Sequence, residues 1–203
     1  MDNTLIENKF IPNFFKDYPT GRFLEIGAEN GLSEDPHEPV WELVKLGWAG
    51  IYCEPNPYAC SRLLKNLENF DNITVVNGAI DTTPGLKKFY IDDGWASLSS
   101  LDKDWIKQVD IAPADLVQHS VITNTFTIQQ LTDAVGLDFN CISIDIENTH
   151  GFYEKIIDSF DWQLFTNCKM IVIELCTDRI QDYFISIGYT CAGHSAYNTI
   201  FIR

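Results

Sequence analysis

Short apolar runs alternate with amphipathic helical patterns along almost the whole chain. The runs consist mainly of aliphatic, aromatic and β-branched residues, and their length is typical of buried strands. Five such runs occupy residues 22–26, 48–53, 73–76, 141–146 and 170–175. In the segments between them, apolar residues recur every three or four positions, as on one face of a helix. This alternation predicts an α/β fold with a mostly parallel sheet and helices on both of its faces.

Capping signals mark where two of the helices begin. Asn56 can accept hydrogen bonds from the first turn of a helix, and Pro57 needs no amide donor at the first helical position. Thr127 and Gln130 have the spacing of a capping box, so a helix is predicted over residues 128–135. Apolar spacing predicts further helices over residues 5–15, 39–46, 152–160 and 178–187.

Other segments extend or interrupt this pattern. Residues 189–203 are typical of two strands around a polar turn and predict a C-terminal hairpin. Two more strands are predicted over 86–91 and 121–126, the second with the alternation of a strand at a sheet edge. Residues 92–120 are the least periodic part of the chain. They are interpreted either as a lid over an acceptor site or as a loosely packed insertion.

Length, composition and charge restrict the size and partners of the protein. The 203 residues suit one domain (1–203) with a helical lead-in over 1–20. With 29 acidic and 14 basic residues, the formal net charge is −15, which repels nucleic acids and anionic membranes. No apolar run has the length of a membrane span or a signal peptide, and no C-x-x-C pair occurs. We expect a cytoplasmic protein that binds neither nucleic acid nor membrane, and the sequence does not fix its oligomeric state.

The first candidate functional segment is the turn after the first predicted strand. Glu25, Gly27 and Gly31 have the spacing E-x-G-x-x-x-G, which differs from the G-x-G-x-x-G of dinucleotide-binding folds. Glycines at this point let the backbone turn sharply and approach a ligand at the carboxyl end of the strand. A side chain at position 27 is expected to occupy the ligand's space, so G27V is predicted to abolish binding. A plain turn is the alternative interpretation.

Two further candidate segments follow the second and third predicted strands. Glu54 is placed to accept hydrogen bonds from both hydroxyls of a ribose, and a surface acid is the alternative interpretation. Gly78 and Ala79 come directly after the third strand and before the apolar Ile80. Small and apolar residues at this position suit a planar ring.

An acidic pair follows the fourth predicted strand. Asp145 and Glu147 are two residues apart, so their carboxylates can converge, and His150 lies three residues beyond. Asp145 is the first candidate for a general base and His150 the second, because an imidazole is half neutral near about pH 6.5. A helix-start role is the alternative for His150. These three residues could also bind a divalent metal, which is possible but not favoured.

Seven segments occur together, in one order, along residues 21–176. They are FLEIGAENG, LGWAGIYCEPNP, VVNGAI, LSSL, TFTIQQLTDAVG, ISIDIEN and MIVIEL. In this combination the sequence resembles the FkbM family of methyltransferases, most distinctively in LGWAGIYCEPNP and ISIDIEN. It departs from the family pattern D-x-E-G-x-E, where Asn148 and His150 replace the glycine and the second glutamate.

The resemblance implies a Rossmann-like class I methyltransferase fold with a seven-stranded, mostly parallel sheet and an antiparallel C-terminal hairpin. It implies S-adenosylmethionine as methyl donor and a hydroxyl of a sugar, glycoconjugate or small metabolite as acceptor. The expected catalytic residues are Asp145, Glu147 and His150. The expected donor-binding residues are Glu25, Gly27, Ala28, Gly31, Glu54, Pro55, Asn56, Gly78, Ala79 and Asp145. The replacements at 148 and 150 keep open a binding protein without turnover, and an NAD-dependent oxidoreductase is the less favoured enzyme.

Overall fold

The computed structural model describes residues 7–31, 39–92, 99–104, 118–147 and 151–203. In chain order its helices and strands are α1 (Glu7–Phe14), β1 (Arg22–Ile26), α2 (Trp41–Lys45), β2 (Ala49–Glu54), α3 (Pro57–Asn66), β3 (Ile73–Asn77), β4 (Ala79–Ile80), β5 (Gly85–Asp92), β6 (Gln118–Phe126), α4 (Ile128–Val135), β7 (Cys141–Ile144), α5 (Phe152–Asp158), β8 (Met170–Glu174), α6 (Asp178–Ser186), β9 (Thr190–His194) and β10 (Asn198–Ile202). The predicted elements are therefore present, with bounds shifted by a few residues.

Seven strands form one sheet in the order β3-β2-β1-β7-β8-β10-β9. The first five pair in parallel, whereas β10 is antiparallel to both of its neighbours. The predicted seven-stranded, mostly parallel sheet with an antiparallel C-terminal hairpin is confirmed. Strand order reverses direction beside β1, which creates a crevice at the carboxyl ends of the central strands.

The two faces of this sheet bury separate apolar cores. Leu24 and Ile26 pack on the side covered by α4, α5 and α6, whereas Phe23 packs on the side covered by α1, α2 and α3. Consecutive residues of a strand point to opposite faces, so β1 contributes to both cores. Each fully buried side chain of this size stabilises the fold by about 1.5–3 kcal/mol. The predicted helices on both faces are confirmed.

The two predicted helix starts are also confirmed. The side chain of Asn56 accepts hydrogen bonds from the backbone N–H groups of Tyr58 at 3.0 Å and Ala59 at 3.4 Å. Thr127 and Gln130 form both bonds of the capping box, at 3.1 and 3.2 Å. These bonds satisfy amides that have no partner within the helix itself. Asn56 therefore fixes where α3 starts relative to the end of β2.

A second sheet of three strands, in the order β4-β6-β5, stands beside the large one. The predicted edge position of 121–126 is wrong, because β6 lies in the middle of this sheet, parallel to β4 and antiparallel to β5. Alternation shows which faces of a strand are buried, not how many partners it has. Ser100 and Tyr90 exchange backbone hydrogen bonds at 2.8 and 3.0 Å, so residues 99–104 are attached to this sheet.

The chain passes from the large sheet to the small one at Gly78, between β3 and β4. A Cβ atom built on Gly78 would lie 2.5 Å from the ring of Phe126 and 3.0 Å from the carbonyl oxygen of Asn124. Only glycine therefore lets β6 approach this closely. Two strand ends from different sheets meet at that point.

The described residues also bear on the irregular segment, the cysteines and possible membrane spans. Most of the segment 92–120 lies outside the described residues, so its two interpretations, as a lid and as a loosely packed insertion, stay predictions. All six cysteines are free thiols, and Cys53, Cys60, Cys141 and Cys168 are buried. Within the described ranges, no helix combines the length and apolarity needed to cross a membrane.

Candidate functional site

A cavity of about 420 Å³ lies at the carboxyl ends of β1, β2 and β7. Its volume is in the range of small-molecule sites, and its position is where open α/β sheets bind ligands. Strand ends supply most of the wall, and the three-stranded sheet supplies one side. The lining residues are Ile26, Gly27, Glu29, Cys53, Glu54, Pro55, Gly78, Ala79, Ile80, Phe89, Ser99, Ser100, Leu101, Asp102, Asp145, Ile146, Glu147 and Phe152.

The turn after β1 is in backbone contact with both neighbouring strands. The N–H of Gly27 donates to the carbonyl of Cys53 at 2.9 Å, and its φ of +89° lies in the left-handed region. A Cβ atom on Gly27 would stand 1.6 Å from the carbonyl oxygen of Asp145. The expectation that a side chain here would simply occupy the ligand's space is thus corrected. The protein's own backbone requires this glycine first.

Glu54 is buried at the cavity wall and both of its oxygens are held by backbone amides. Oε2 accepts the N–H of Glu29 at 2.8 Å, and Oε1 accepts the N–H of Asn56 at 2.6 Å. The carboxyl therefore ties the turn after β1 to the start of α3. Each carboxylate oxygen retains a further lone pair that can accept a hydrogen bond from a ligand.

Burial raises the pKa of Glu54 to about 8, although its two backbone hydrogen bonds act in the opposite direction. The negative charges of Glu29 and Asp145 raise this pKa further. A ligand that donates hydrogen bonds or brings positive charge would favour the ionised form. The electrostatics of Glu54 thus match a ligand that is rich in donors or cationic.

The end of β3 forms an apolar wall next to Glu54. The Asn77 side chain and the N–H of Gly78 both donate to the carbonyl of Glu54, at 2.8 and 3.1 Å, which fixes the two strand ends together. Ala79 and Ile80 follow, and both are buried. Their position supports the interpretation that a planar ring fits here.

Asp145 and Glu174 form a carboxyl pair across two neighbouring parallel strands. Ile144 is in register with Ile173, so the next residues, Asp145 and Glu174, lie side by side, and their side chains hydrogen-bond each other. The surface of Asp145 is exposed towards the cavity, and desolvation by the surrounding protein raises the pKa of its carboxyl. Burial and the nearby charge of Asp145 raise the pKa of Glu174 to about 10. One proton is therefore shared between the two carboxyls.

Tyr153 anchors the loop that carries Asp145. Its buried hydroxyl accepts the N–H of Ile146 at 2.8 Å and donates to the carbonyl of Ile144 at 3.0 Å. Two backbone groups on either side of Asp145 are thereby fixed by one side chain. Sequence reasoning missed both Tyr153 and Glu174. The position of Glu174 near the end of an apolar strand was a usable signal, whereas Tyr153 looks like any core aromatic.

The structure brings together most, but not all, of the predicted site residues. The cavity wall contains Gly27, Glu54, Pro55, Gly78, Ala79, Asp145 and Glu147. Four other candidates that the structure describes lie outside this wall. Glu25 is buried on the α1–α3 side of the sheet, Ala28 is buried beside it, Gly31 abuts Leu63, and Asn56 caps α3. For these four, contact with a ligand remains a prediction, and His150 lies outside the described residues.

Acidic groups dominate the polar part of the cavity wall. They are Glu29, Glu54, Asp102, Asp145 and Glu147, and no Lys, Arg or His stands among the described lining residues. Such a wall favours a cationic ligand and repels the pyrophosphate of a dinucleotide. In the part of the chain that the structure describes, no three metal-binding side chains are grouped for an ion. The possible set of Asp145, Glu147 and His150 is not tested by this finding.

Comparisons with known proteins agree on the fold. No protein-family model and no curated protein sequence matches the chain. The solved structure of methyltransferase FkbM from Methylobacillus flagellatus KT is 14% identical with a TM-score of 0.52, covering 91% of this chain and 44% of that one. The methyltransferase domain of METTL16 is 13% identical with a TM-score of 0.50, covering 100% and 83%. The chain thus has the Rossmann-like class I methyltransferase fold and spans less than half of the FkbM structure.

Proposed function

We propose that this protein is an S-adenosylmethionine-dependent methyltransferase and that the donor binds in the cavity at the strand ends. The observation that carries the proposal is Glu54, whose two oxygens are both held by backbone amides at the wall of an acidic cavity. A carboxylate fixed in this way can accept both hydroxyls of one ribose. The fold is consistent with this use of the crevice.

The described residues fit the parts of the donor in turn. Glu54 would bind the ribose, and Ala79 and Ile80 would flank the adenine. The turn at Gly27 would receive the amino-acid part, because its backbone lies open to a close approach there. The acidic wall suits a sulfonium and disfavours NAD, so the oxidoreductase interpretation is not retained. When bound, the donor supplies a methyl group that is already activated for transfer.

We propose a hydroxyl of a sugar, glycoconjugate or small metabolite as the acceptor, on the basis of the FkbM resemblance. Holding the acceptor oxygen in line with the methyl group would account for most of the catalysis. Asp145 faces the cavity and would take the hydroxyl proton as general base. Glu147 and Phe152 line the cavity on the same side and would position the acceptor.

Calorimetric titration of the full chain with S-adenosylmethionine, S-adenosylhomocysteine and NAD tests donor binding. The E54Q variant should bind both adenosyl ligands at least about tenfold more weakly, since hydrogen bonds to charged groups contribute about 1.5–3 kcal/mol. In this variant the new NH₂ group would also face the N–H of Glu29 or Asn56, so that two hydrogen-bond donors would point at each other. E68Q changes an exposed acid two residues after the end of α3 and is the matched control.

Transfer of a labelled methyl group to a panel of glycans and small hydroxyl compounds then tests the reaction. The proposal is supported if the wild type methylates one of these compounds and E54Q does so more slowly. NAD binding without adenosyl binding would instead favour the oxidoreductase. Tight donor binding without transfer to any compound would favour a binding protein that has lost turnover.

A further inference from the structure

The carboxyl pair of Asp145 and Glu174 is the feature that the proposed function leaves unexplained. A single general base needs only Asp145, yet a second carboxyl is placed in hydrogen-bonding contact with it. Strand register enforces this placement, because Ile144 and Ile173 are directly paired one residue earlier. The N–H of Asp145 also donates to the carbonyl of Ile26 at 2.8 Å, which locks the end of β7 against β1.

Two carboxyls in contact cannot both ionise at moderate cost, so the pair keeps one proton and one negative charge. The surroundings reinforce this state. Glu29, Glu54 and Glu147 face the pair with further negative charge, and the Tyr153 hydroxyl is engaged with backbone groups. No described lining residue is basic, so no fixed cation neutralises the charge that remains.

The position of this charge relative to the donor follows from the proposed function, on which the inference rests. The sulfonium is bonded to the 5′ carbon of the ribose that Glu54 would hold, and the amino-acid part would reach the Gly27 turn. A Cβ atom on Gly27 would touch the Asp145 carbonyl, so the turn and the pair are adjacent. The sulfonium therefore falls between Glu54 and Asp145.

We propose that the carboxyl pair of Asp145 and Glu174 acts as one negative charge that selects the cationic methyl donor over its demethylated product. Methyl transfer breaks the carbon–sulfur bond, leaves its electron pair on sulfur and joins the methyl group to the acceptor oxygen. The hydroxyl proton passes to Asp145, so the pair then holds two protons and no charge. The positive charge of the sulfonium and the negative charge of the carboxyl pair are thus lost in the same step. Loss of this attraction favours release of S-adenosylhomocysteine.

The test compares the affinities of S-adenosylmethionine and S-adenosylhomocysteine in wild type, D145N, E174Q and D145N/E174Q. Each single variant leaves one carboxyl, which can ionise once its partner is neutral, so the affinity ratio should change by less than about threefold. The double variant has no carboxyl left, and the ratio should fall at least about tenfold against the donor. Sinefungin, which carries an ammonium in place of the sulfonium, should follow S-adenosylmethionine.

Three outcomes would overturn the inference. If the affinity ratio is unchanged in the double variant, the charge of the pair does not select the donor, although the donor still binds. A full loss of selectivity in E174Q alone would show that two charges, or one specific geometry, are required. Absence of binding of both adenosyl ligands to wild type would overturn the proposed function as well. Thermal melting checks that the double variant folds, and D145S/E174L provides a second uncharged pair if it does not.

Discussion

At one end of the cavity Glu54 is held by the backbone amides of Glu29 and Asn56, whereas at the other end Asp145 is held by the carboxyl of Glu174. Backbone amides do not release their protons, so they fix the position of the first carboxyl but cannot exchange a proton with it. A second carboxyl can exchange its proton, so the other end can change its charge during a reaction. Identical functional groups thus suit binding at one end and chemistry at the other.

Gly27 joins the two ends, and replacing it should have the largest effect. G27A should destabilise the protein by about 3 kcal/mol or more, because its Cβ would collide with the Asp145 carbonyl in addition to adopting a left-handed φ. G47A is the matched control, since Gly47 has a φ of +83° and no atom within 4 Å of its Cβ position. It should cost only about 1 kcal/mol.

Chemical denaturation of both variants measures this difference. Equal losses in G27A and G47A would mean that the end of β7 can move away from the turn. In that case the two ends of the cavity are not rigidly connected.

Removing one hydroxyl at the Asp145 end should have an intermediate effect. Y153F leaves the N–H of Ile146 and the carbonyl of Ile144 without their shared partner, at a cost of about 1–3 kcal/mol. Loosening of the loop should also weaken donor binding. The control is Y189F, which loses one hydrogen bond to the Cys168 carbonyl on a buried site that does not line the cavity.

Thermal melts and calorimetric titrations separate the two tyrosine variants. Y189F should lose stability but keep its donor affinity. If Y153F also keeps full affinity, Tyr153 supports only the core and not the site.

The smallest expected effect is the pH dependence of stability at the Glu54 end. The pKa of Glu54 is raised from 4.5 to about 8 in the folded protein, so between these values the folded state binds more protons than the unfolded state. Stability from this group is therefore complete below the lower value and is lost as pH rises through the upper one. We expect a loss of about 1.4 kcal/mol between about pH 7 and about pH 9.

The net charge of −15 also favours unfolding as pH rises, so the informative quantity is the difference between wild type and E54Q. E54Q should flatten the profile measured by denaturation across this range. If the stability profiles of wild type and E54Q run parallel, Glu54 stays ionised throughout this range. Its two hydrogen bonds from backbone amides would then outweigh the effect of burial.

Local chemistry explains what the sequence predicted well. The Asn56-Pro57 start of α3 and the Thr127 capping box depend on residues within four positions of each other, so they can be read directly. Strand ends were predicted because buried parallel strands are almost wholly apolar and polar residues follow them. This was enough to place Glu54 and Asp145 at one edge of the sheet.

Long-range geometry explains what was missed. The contact of Asp145 with Glu174 depends on the register of β7 and β8, which residues 29 positions apart in the chain do not reveal. The three-stranded sheet depends on which strands pair, and alternation does not encode that choice. The collision at Gly27 likewise depends on a carbonyl from a distant strand.

The passage of the chain through Gly78 divides the cavity between two structural layers. Parallel strand ends provide Gly27, Glu54 and Asp145, whereas the small sheet and its attached residues provide Ile80, Phe89 and residues 99–102. The small sheet can thus acquire new side chains or a different loop length without disturbing the acids at the strand ends. Evolution could therefore reshape one side of the cavity while the other side stays constant.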